Sequence, residues 1–318
     1  MSRDVVVVGS ANADLVVEVP RRPAGGETLL GGDLRLLPGG KGANQAAAAA
    51  RCGADTAILA CVGSDANGSF VRERLTSAGV DVVGLIEVDR PTGTAVIFLT
   101  PDGENSIVVS PGANGALDIE TAERCSGVWS DARVLVLSLE IPEETAFRVA
   151  VLAAGDGARV LLNAAPATRI APEVLAICDP LVVNEHEALA VLGAGGDAAP
   201  GADSGPRAGD YEGVAVRLLS AGARSVVITL GADGAIAADG GSAGPTRVPA
   251  HRVRAIDTTG AGDAFVGAVA CELARGAELV DAVRFATGVS AVSVQRMGAQ
   301  ASYADRSEVE AFIAAHAE

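Results

Sequence analysis

Short apolar runs recur along the chain with room for a helix between them: Val5 to Val8, Ala57 to Cys61, Val134 to Leu139, Val160 to Leu162, Leu181 to Val183 and Ser225 to Thr229. Each is apolar on both faces of an extended chain, which is how a strand reads when both sides of its sheet are covered. Between them Asn44 to Cys52, Ser69 to Ala78, Glu143 to Ala154, Glu185 to Leu192 and Gly213 to Ala221 read as helices. The alternation predicts an α/β fold, a doubly wound and mostly parallel sheet flanked by helices. From Asp257 onward the pattern is helical, over Ala264 to Arg275, Leu279 to Gln295 and Ser307 to Ala315.

Two stretches break the alternation. Leu15 to Pro38 and Gly84 to Ser110 each read as strand, turn, strand, the second with Pro101-Asp102-Gly103 as the turn between Thr94 to Leu99 and Asn105 to Ser110. We expect residues 15–38 and 84–110 to form a small antiparallel β lid inserted into a main domain of residues 1–14, 39–83 and 111–318. A sheet of that size is not stable alone, so it should cover a site, a partner subunit, or both. Gly193 to Asp210, rich in Gly, Ala, Pro and Asp, reads as a loop.

Composition narrows the classes. With 318 residues, 49% hydrophobic and 20% charged, the chain can bury a large core and is not a disordered segment. Its mean hydropathy is positive, yet the longest stretch without a charge, Asn105 to Leu117, has thirteen residues and contains Pro111, Gly112 and Gly115. That is too short to span a bilayer. The apolar part of the amino terminus is too short for a signal peptide, so a cytoplasmic location is expected. Five cysteines without a Cys-x-x-Cys pair, and only three histidines, offer no zinc spacing and read as reduced structural thiols. A net charge of −16 argues against nucleic acid and anionic membranes as partners.

The strongest chemical signal is Asp257-Thr-Thr-Gly-Ala-Gly-Asp263, a glycine turn that opens a helix. Unpaired amides at a helix start, aided by the dipole, suit phosphate oxygens. An Asp before a helix is ordinarily an N-cap, but two glycines and a second Asp point further. A carboxylate at that turn can take the proton of a hydroxyl attacking a phosphoryl group held by the amides. Neither a P-loop nor the protein-kinase motifs are present.

A second glycine turn, Pro38-Gly-Gly-Lys-Gly-Ala-Asn44-Gln45, contains Lys41, the only lysine among 24 cationic residues. It is either a flexible turn capped by Asn44 or a set of amides and a compact ammonium beside a polyhydroxylated or phosphorylated ligand. Asn12 and Asp14, in Gly9-Ser-Ala-Asn12-Ala-Asp14 after the first strand, read either as an Asx turn or as acceptors for vicinal sugar hydroxyls. Glu140, Asn184 with Glu187, and Thr229-Leu-Gly-Ala-Asp-Gly234 follow other strands. Any one would pass as a helix cap; their recurrence on one sheet edge favours a cleft.

Taken together, Gly9-Ser-Ala-Asn-Ala-Asp14, Gly39-Gly-Lys-Gly-Ala-Asn-Gln45, Val183-Asn-Glu-His-Glu187, Asp257-Thr-Thr-Gly-Ala-Gly-Asp263 and Arg296-Met-Gly-Ala-Gln300 stand in one order over nearly the whole chain. In this the sequence resembles the ribokinase-like superfamily of carbohydrate kinases, and its ribose-specific branch most. The resemblance implies ATP-dependent phosphorylation of D-ribose at the 5-hydroxyl. Fructose, deoxyribose or adenosine as acceptor, and a catalytically silent sugar-binding regulator, are the alternatives. It implies Asp263 as base, with the amides of Gly260, Ala261 and Gly262 as the anion hole, and Asn12, Asp14, Gly40, Lys41, Asn44 and Glu140 around the sugar. Asn184, Glu187, Thr229, Gly231, Gly234, Gly262 and Thr287 would line the nucleotide side, with Mg2+ on the ATP phosphates. A monovalent cation, K+, would sit by Asp257, Thr259, Ser293, Arg296, Gly298 and Ser302. A homodimer through the lid is also implied.

Overall fold

The computed structural model describes residues 3–101, 105–193, 209–241 and 244–316. The expected doubly wound sheet is present. Seven parallel strands, β1 (Arg3–Val8), β4 (Thr56–Gly63), β5 (Asp81–Val88), β8 (Ala132–Ser138), β9 (Arg159–Asn163), β10 (Cys178–Asn184) and β11 (Ser225–Thr229), are extended by β12 (Ala235–Asp239) and β13 (Thr246–Val248). The order is β13-β12-β11-β10-β9-β8-β1-β4-β5, and β12 and β13 run antiparallel.

Period-2 alternation splits the core. Val5, Val7, Val134 and Val136 join the apolar cluster on one face, and Val6, Val8, Leu135 and Leu137 the cluster on the other. The first face is covered by α1 (Lys41–Arg51), α2 (Ala66–Ser77), α8 (Ala261–Ala274), α9 (Leu279–Ser293) and α10 (Arg306–Ala315). The second is covered by α3 (Ile119–Arg124), α4 (Glu143–Gly155), α5 (Pro172–Leu175), α6 (Glu185–Val191) and α7 (Tyr211–Ser220). The five cysteines are free thiols, and burial pushes those of Cys52, Cys61 and Cys178 up to about 12.

One helix contact sets the geometry at the carboxyl ends of the central strands. Ala46 to Ala49 of α1 are buried against α8, where a Cβ on Gly267 would stand 2.5 Å from the Gln45 carbonyl oxygen. Small residues on both helices therefore let the two backbones approach closely. That approach brings the start of α1 within reach of the start of α8.

A second sheet holds β2 (Asn12–Glu18), β3 (Arg35–Gly39), β6 (Thr94–Leu99) and β7 (Asn105–Ser110), in the order β3-β2-β6-β7. Three expectations change. The sheet is mixed rather than antiparallel, because β2 pairs with β6 in parallel. Asn12 and Asp14 lie on β2, since the chain re-enters an extended ladder three residues after β1 instead of turning. Residues 84–88, expected in the lid, belong to β5 and pair with β4. Leu85 packs into one core cluster while Ile86 and Val88 pack against the other, so this strand needs cover on both faces, which only the large sheet supplies. Asp102 and Gly103 of the expected turn, and residues 194–208 of the expected loop, lie outside the described residues.

Candidate active site

The strand order runs outward from β1 in both directions, and at such a reversal the departing loops leave a crevice at the carboxyl ends of the strands. Ser10, just after β1, and Glu140, just after β8, meet there. Ser10 Oγ donates to Glu140 Oε2 at 2.6 Å, and the Lys41 backbone N–H donates to the same oxygen at 3.0 Å. Glu140 thus ties the start of α1 to the end of β8. Gly40 caps that helix start with φ +85°.

Asp263 stands in the first turn of α8. Asn44 Nδ2 donates to its Oδ2 and Gln45 Nε2 to its Oδ1, both at 3.0 Å. Gln45 Nε2 also reaches Asn163 Oδ1 at 3.0 Å, and Gln300 Nε2 donates to Asn44 Oδ1 at 3.0 Å. With one amide on each oxygen, the plane of the carboxylate is fixed while each oxygen keeps a further lone pair. Burial pushes the Asp263 carboxyl above the usual range; Lys41, Asn44 and Gln45 favour its charged form and Glu140 opposes it. Burial also works against the Lys41 ammonium, but Asp263, Glu140 and Glu187 outweigh it and raise its pKa, so it is charged at neutral pH.

Two cavities meet at this turn. One of about 190 Å³ is lined by Lys41, Asn163, Asn184, Glu187 and Asp263, among others, and one of about 580 Å³ by Gly231, Gly234, His251, Phe265 and Thr287, among others. Thr229 and Gly262 line both. The residues expected on the nucleotide side are therefore divided between them. Asn184 and Glu187 form a capping box for α6, each side chain accepting the other's backbone N–H, at 2.9 and 2.8 Å. Burial raises the Glu187 carboxyl despite that amide and Lys41.

Of the three amides expected to form the anion hole, the Ala261 N–H already donates to Thr258 O at 3.2 Å, because Gly260 in the left-handed region closes a turn there. A bound phosphoryl oxygen would have to share it, whereas Gly262 is in the first turn, where N–H groups lack intrahelical partners. On β2, Asn12 Oδ1 accepts from Asn114 Nδ2 at 2.7 Å. Asp14 Oδ1 is buried without a hydrogen-bond partner among the described residues. Burial pushes its carboxyl up to about 7, with the Ala95 N–H opposing and the charges of Glu140 and Asp263 adding.

Of the residues expected around a cation, Asp257, Thr259 and Gly298 are tied together by hydrogen bonds. Asp257 Oδ1 accepts from Thr259 N at 2.9 Å and Oδ2 from Gly298 N at 2.7 Å. The Arg296 guanidinium turns away to Glu308, and the hydroxyls of Ser293 and Ser302 donate to Ser290 O and Ala299 O.

Sequence reasoning missed Ser10, Gln45, Asn114, Asn163, Gln300 and Tyr303, whose hydroxyl donates to Gly260 O at 2.9 Å. Gln45 closes the glycine-rich motif that begins at Gly39, but its polarity inside an alanine-rich helix was the only local sign of its place beside Asp263.

A crevice that joins a large cavity to a small one across a helix start, with a held carboxylate and an ammonium beside it, defines a group-transfer enzyme of the α/β class. The chain belongs to the pfkB family of carbohydrate kinases, whose model matches residues 2–306. It is 40% identical over 317 residues to the ribokinase of Schizosaccharomyces pombe, covering 96% of each chain, and 37% identical to that of Mus musculus, covering 94% of this chain and 91% of the other. Its fold matches the structure of Arabidopsis thaliana ribokinase complexed with ribose and ATP with a TM-score of 0.88, at 32% identity, over 98% and 99% of the two chains.

Proposed function

We propose that the protein transfers the γ-phosphoryl group of ATP to the 5-hydroxyl of D-ribose, giving D-ribose 5-phosphate and ADP. The observation that carries this is Asp263, gripped by two side-chain amides where the two cavities meet. The ribokinase relatives support ribose as acceptor. ATP occupies the larger cavity with its terminal phosphate at the start of α8, where the Gly262 N–H and the Lys41 ammonium offset its charge. Asp263 accepts the hydroxyl proton as the oxygen attacks in line. Asn12, Asp14, Gly40, Asn44 and Glu140 hold the sugar on the side towards the small sheet, which serves as a lid. ADP release measured with ribose, deoxyribose, fructose and adenosine should be fastest with ribose; a faster rate with another acceptor would replace it.

Mg2+ would ride on the ATP phosphates, with Glu187, which lines the smaller cavity beside Asp263, reaching it through water. When bound, the ion neutralises phosphate charge. Asp257 and nearby backbone oxygens are hard donors suited to K+. Potassium should therefore raise kcat several-fold over choline and raise the Tm by mass action; equal values in both salts would remove the cation from the scheme.

Asp14 carries a pH prediction. Its carboxyl, at about 7, is half protonated near neutrality, and only the anion offers all its lone pairs to sugar hydroxyls. KM for ribose should thus rise as pH falls from about 8 to about 6. A carboxyl raised in the folded state favours the native fold only while protonated, so stability falls as pH climbs from its unfolded value of about 4 to about 7. Asp14→Asn should raise Tm at pH 8 while raising KM for ribose; a lower Tm at that pH would contradict the assignment.

We further read the lid as a dimer interface. Ile107, Val108 and Val109 of edge strand β7 are all exposed. Successive residues point to opposite faces, so this edge is apolar and uncovered on both. Light scattering should give twice the protomer mass, and Val108→Glu should halve it. A cytoplasmic location, where ATP is supplied, goes with this reading, and cell fractionation checks it.

A further inference from the structure

The larger cavity contains more polar side chains than it has uncommitted polar groups. Thr229 Oγ1 donates to Val183 O, Thr287 Oγ1 to Arg284 O and Ser290 Oγ to Ala261 O. Each hydroxyl hydrogen is tied back to a backbone carbonyl, so these residues shape the wall but have no hydrogen to give a ligand. Asp233, Arg252, Thr258 and His251 line it as well, and of these four His251 carries the one flat ring. Neither of its ring nitrogens has a hydrogen-bond partner among the described residues.

Its ring is nonetheless held. Phe312 of α10 packs against it edge-on with centroids 5.3 Å apart, and His316 stacks on Phe312 at 4.1 Å, 6.3 Å from His251. A T-shaped contact of this kind orients a ring without using its nitrogens. Burial, and then the neighbouring His316, lower the pKa of His251. The imidazole is therefore neutral at pH 7, with one donor and one acceptor nitrogen. The cavity around it is mostly apolar, with Val253, Phe265 and Val294 on its walls. A flat heteroaromatic ring fits such a setting.

Position decides which part of a nucleotide this is. Thr229 and Gly262 mark the end of the large cavity that opens onto Asp263, whereas His251 lines the large cavity alone. We infer that His251 is a base-contacting residue of the nucleotide subsite, hydrogen-bonding the heterocycle of ATP, with Phe312 and His316 as the support that orients its ring. The inference rests on the proposed placement of ATP in this cavity.

The test separates base from phosphate and binding from chemistry. His251→Phe keeps an aromatic ring against Phe312 and removes both nitrogens. It should weaken binding of MgATP and ADP, measured by calorimetry without sugar, by about five- to tenfold, the loss of one hydrogen bond. Inhibition by inorganic tripolyphosphate, which has no base, should not change, and neither should KM for the sugar or kcat at saturating ATP. Phe312→Leu should reproduce part of the loss. Unchanged ATP and ADP affinity in His251→Phe would overturn the inference, as would an equal loss for tripolyphosphate, which would put His251 on the phosphates. Calorimetry needs no acceptor, so wild-type protein that binds MgATP but does not turn over ribose would overturn the proposed reaction and leave His251 to be judged on its own.

Discussion

Asp263→Asn is expected to lower kcat by roughly 10²- to 10⁴-fold, the span that general-base catalysis contributes, while ribose affinity stays within a few-fold. The substitution keeps the shape of the side chain and removes its capacity to take a proton. It has a secondary effect: Asn44 and Gln45 both donate to this carboxylate, and an amide can accept from only one of them. A small drop in Tm should therefore accompany the loss of turnover, and calorimetry with ribose should still show binding. Turnover within tenfold of wild type would exclude Asp263 as the base. Gln45→Leu gives a milder form of the same experiment. An amide donating to a carboxylate favours its charged form, so losing it raises the Asp263 pKa, and the acid limb of the kcat profile should move to higher pH. A Gln45 that only fills space would leave that limb in place.

Gly260→Ala should be nearly as damaging for a different reason. The residue caps α8 with φ +73°, in the left-handed region that costs a non-glycine residue about 1–2 kcal/mol. A Cβ there would stand 2.5 Å from the Ala299 Cβ and 2.7 Å from the Tyr303 hydroxyl oxygen. Neither neighbour is a flexible chain end, because Ala299 and Tyr303 are buried and the Tyr303 hydroxyl is bonded to Gly260 O. The helix start has to shift, carrying the Gly262 amide and the Asp263 carboxylate with it. Misplacing preorganised donors in this way costs roughly 10²–10³ in kcat. The protein should remain folded with a lower Tm, and ribose and nucleotide should still bind. Near-normal kcat would mean that the position of this turn matters less than the mechanism requires.

The two variants also show which parts of the site can be read locally. Asp257 to Asp263 announces itself because a glycine turn, a helix and two carboxylates lie within seven residues, and amide geometry at a helix start depends on little else. The strands of the large sheet were legible for a similar reason: burial on both faces leaves an uninterrupted apolar run. The lid boundary was less so. Gly84 to Val88 resembles an exposed strand until its two faces are seen packed against α2 on one side and the Val128 region on the other. The parallel pairing of β2 with β6 joins segments about 80 residues apart, and no local pattern encodes it.

Gln45 and His251 mark the limit from the other side. Gln45 is one polar residue in a run of alanines, and it reaches Asp263, 218 positions away, only because α1 and α8 lie close together across Gly267. His251 is ordinary in sequence and becomes distinctive when its ring proves to line the larger cavity with both nitrogens unpartnered among the described residues. The amino-acid sequence alone determined the α/β class, the family likeness and the turn at Asp263, because periodicity, capping and glycine turns act over a few residues. Only the tertiary structure decided the partners of the carboxylate, the meeting of two cavities at Gly262 and the edge of the lid, because these depend on contacts between segments whose separation along the chain leaves no local trace.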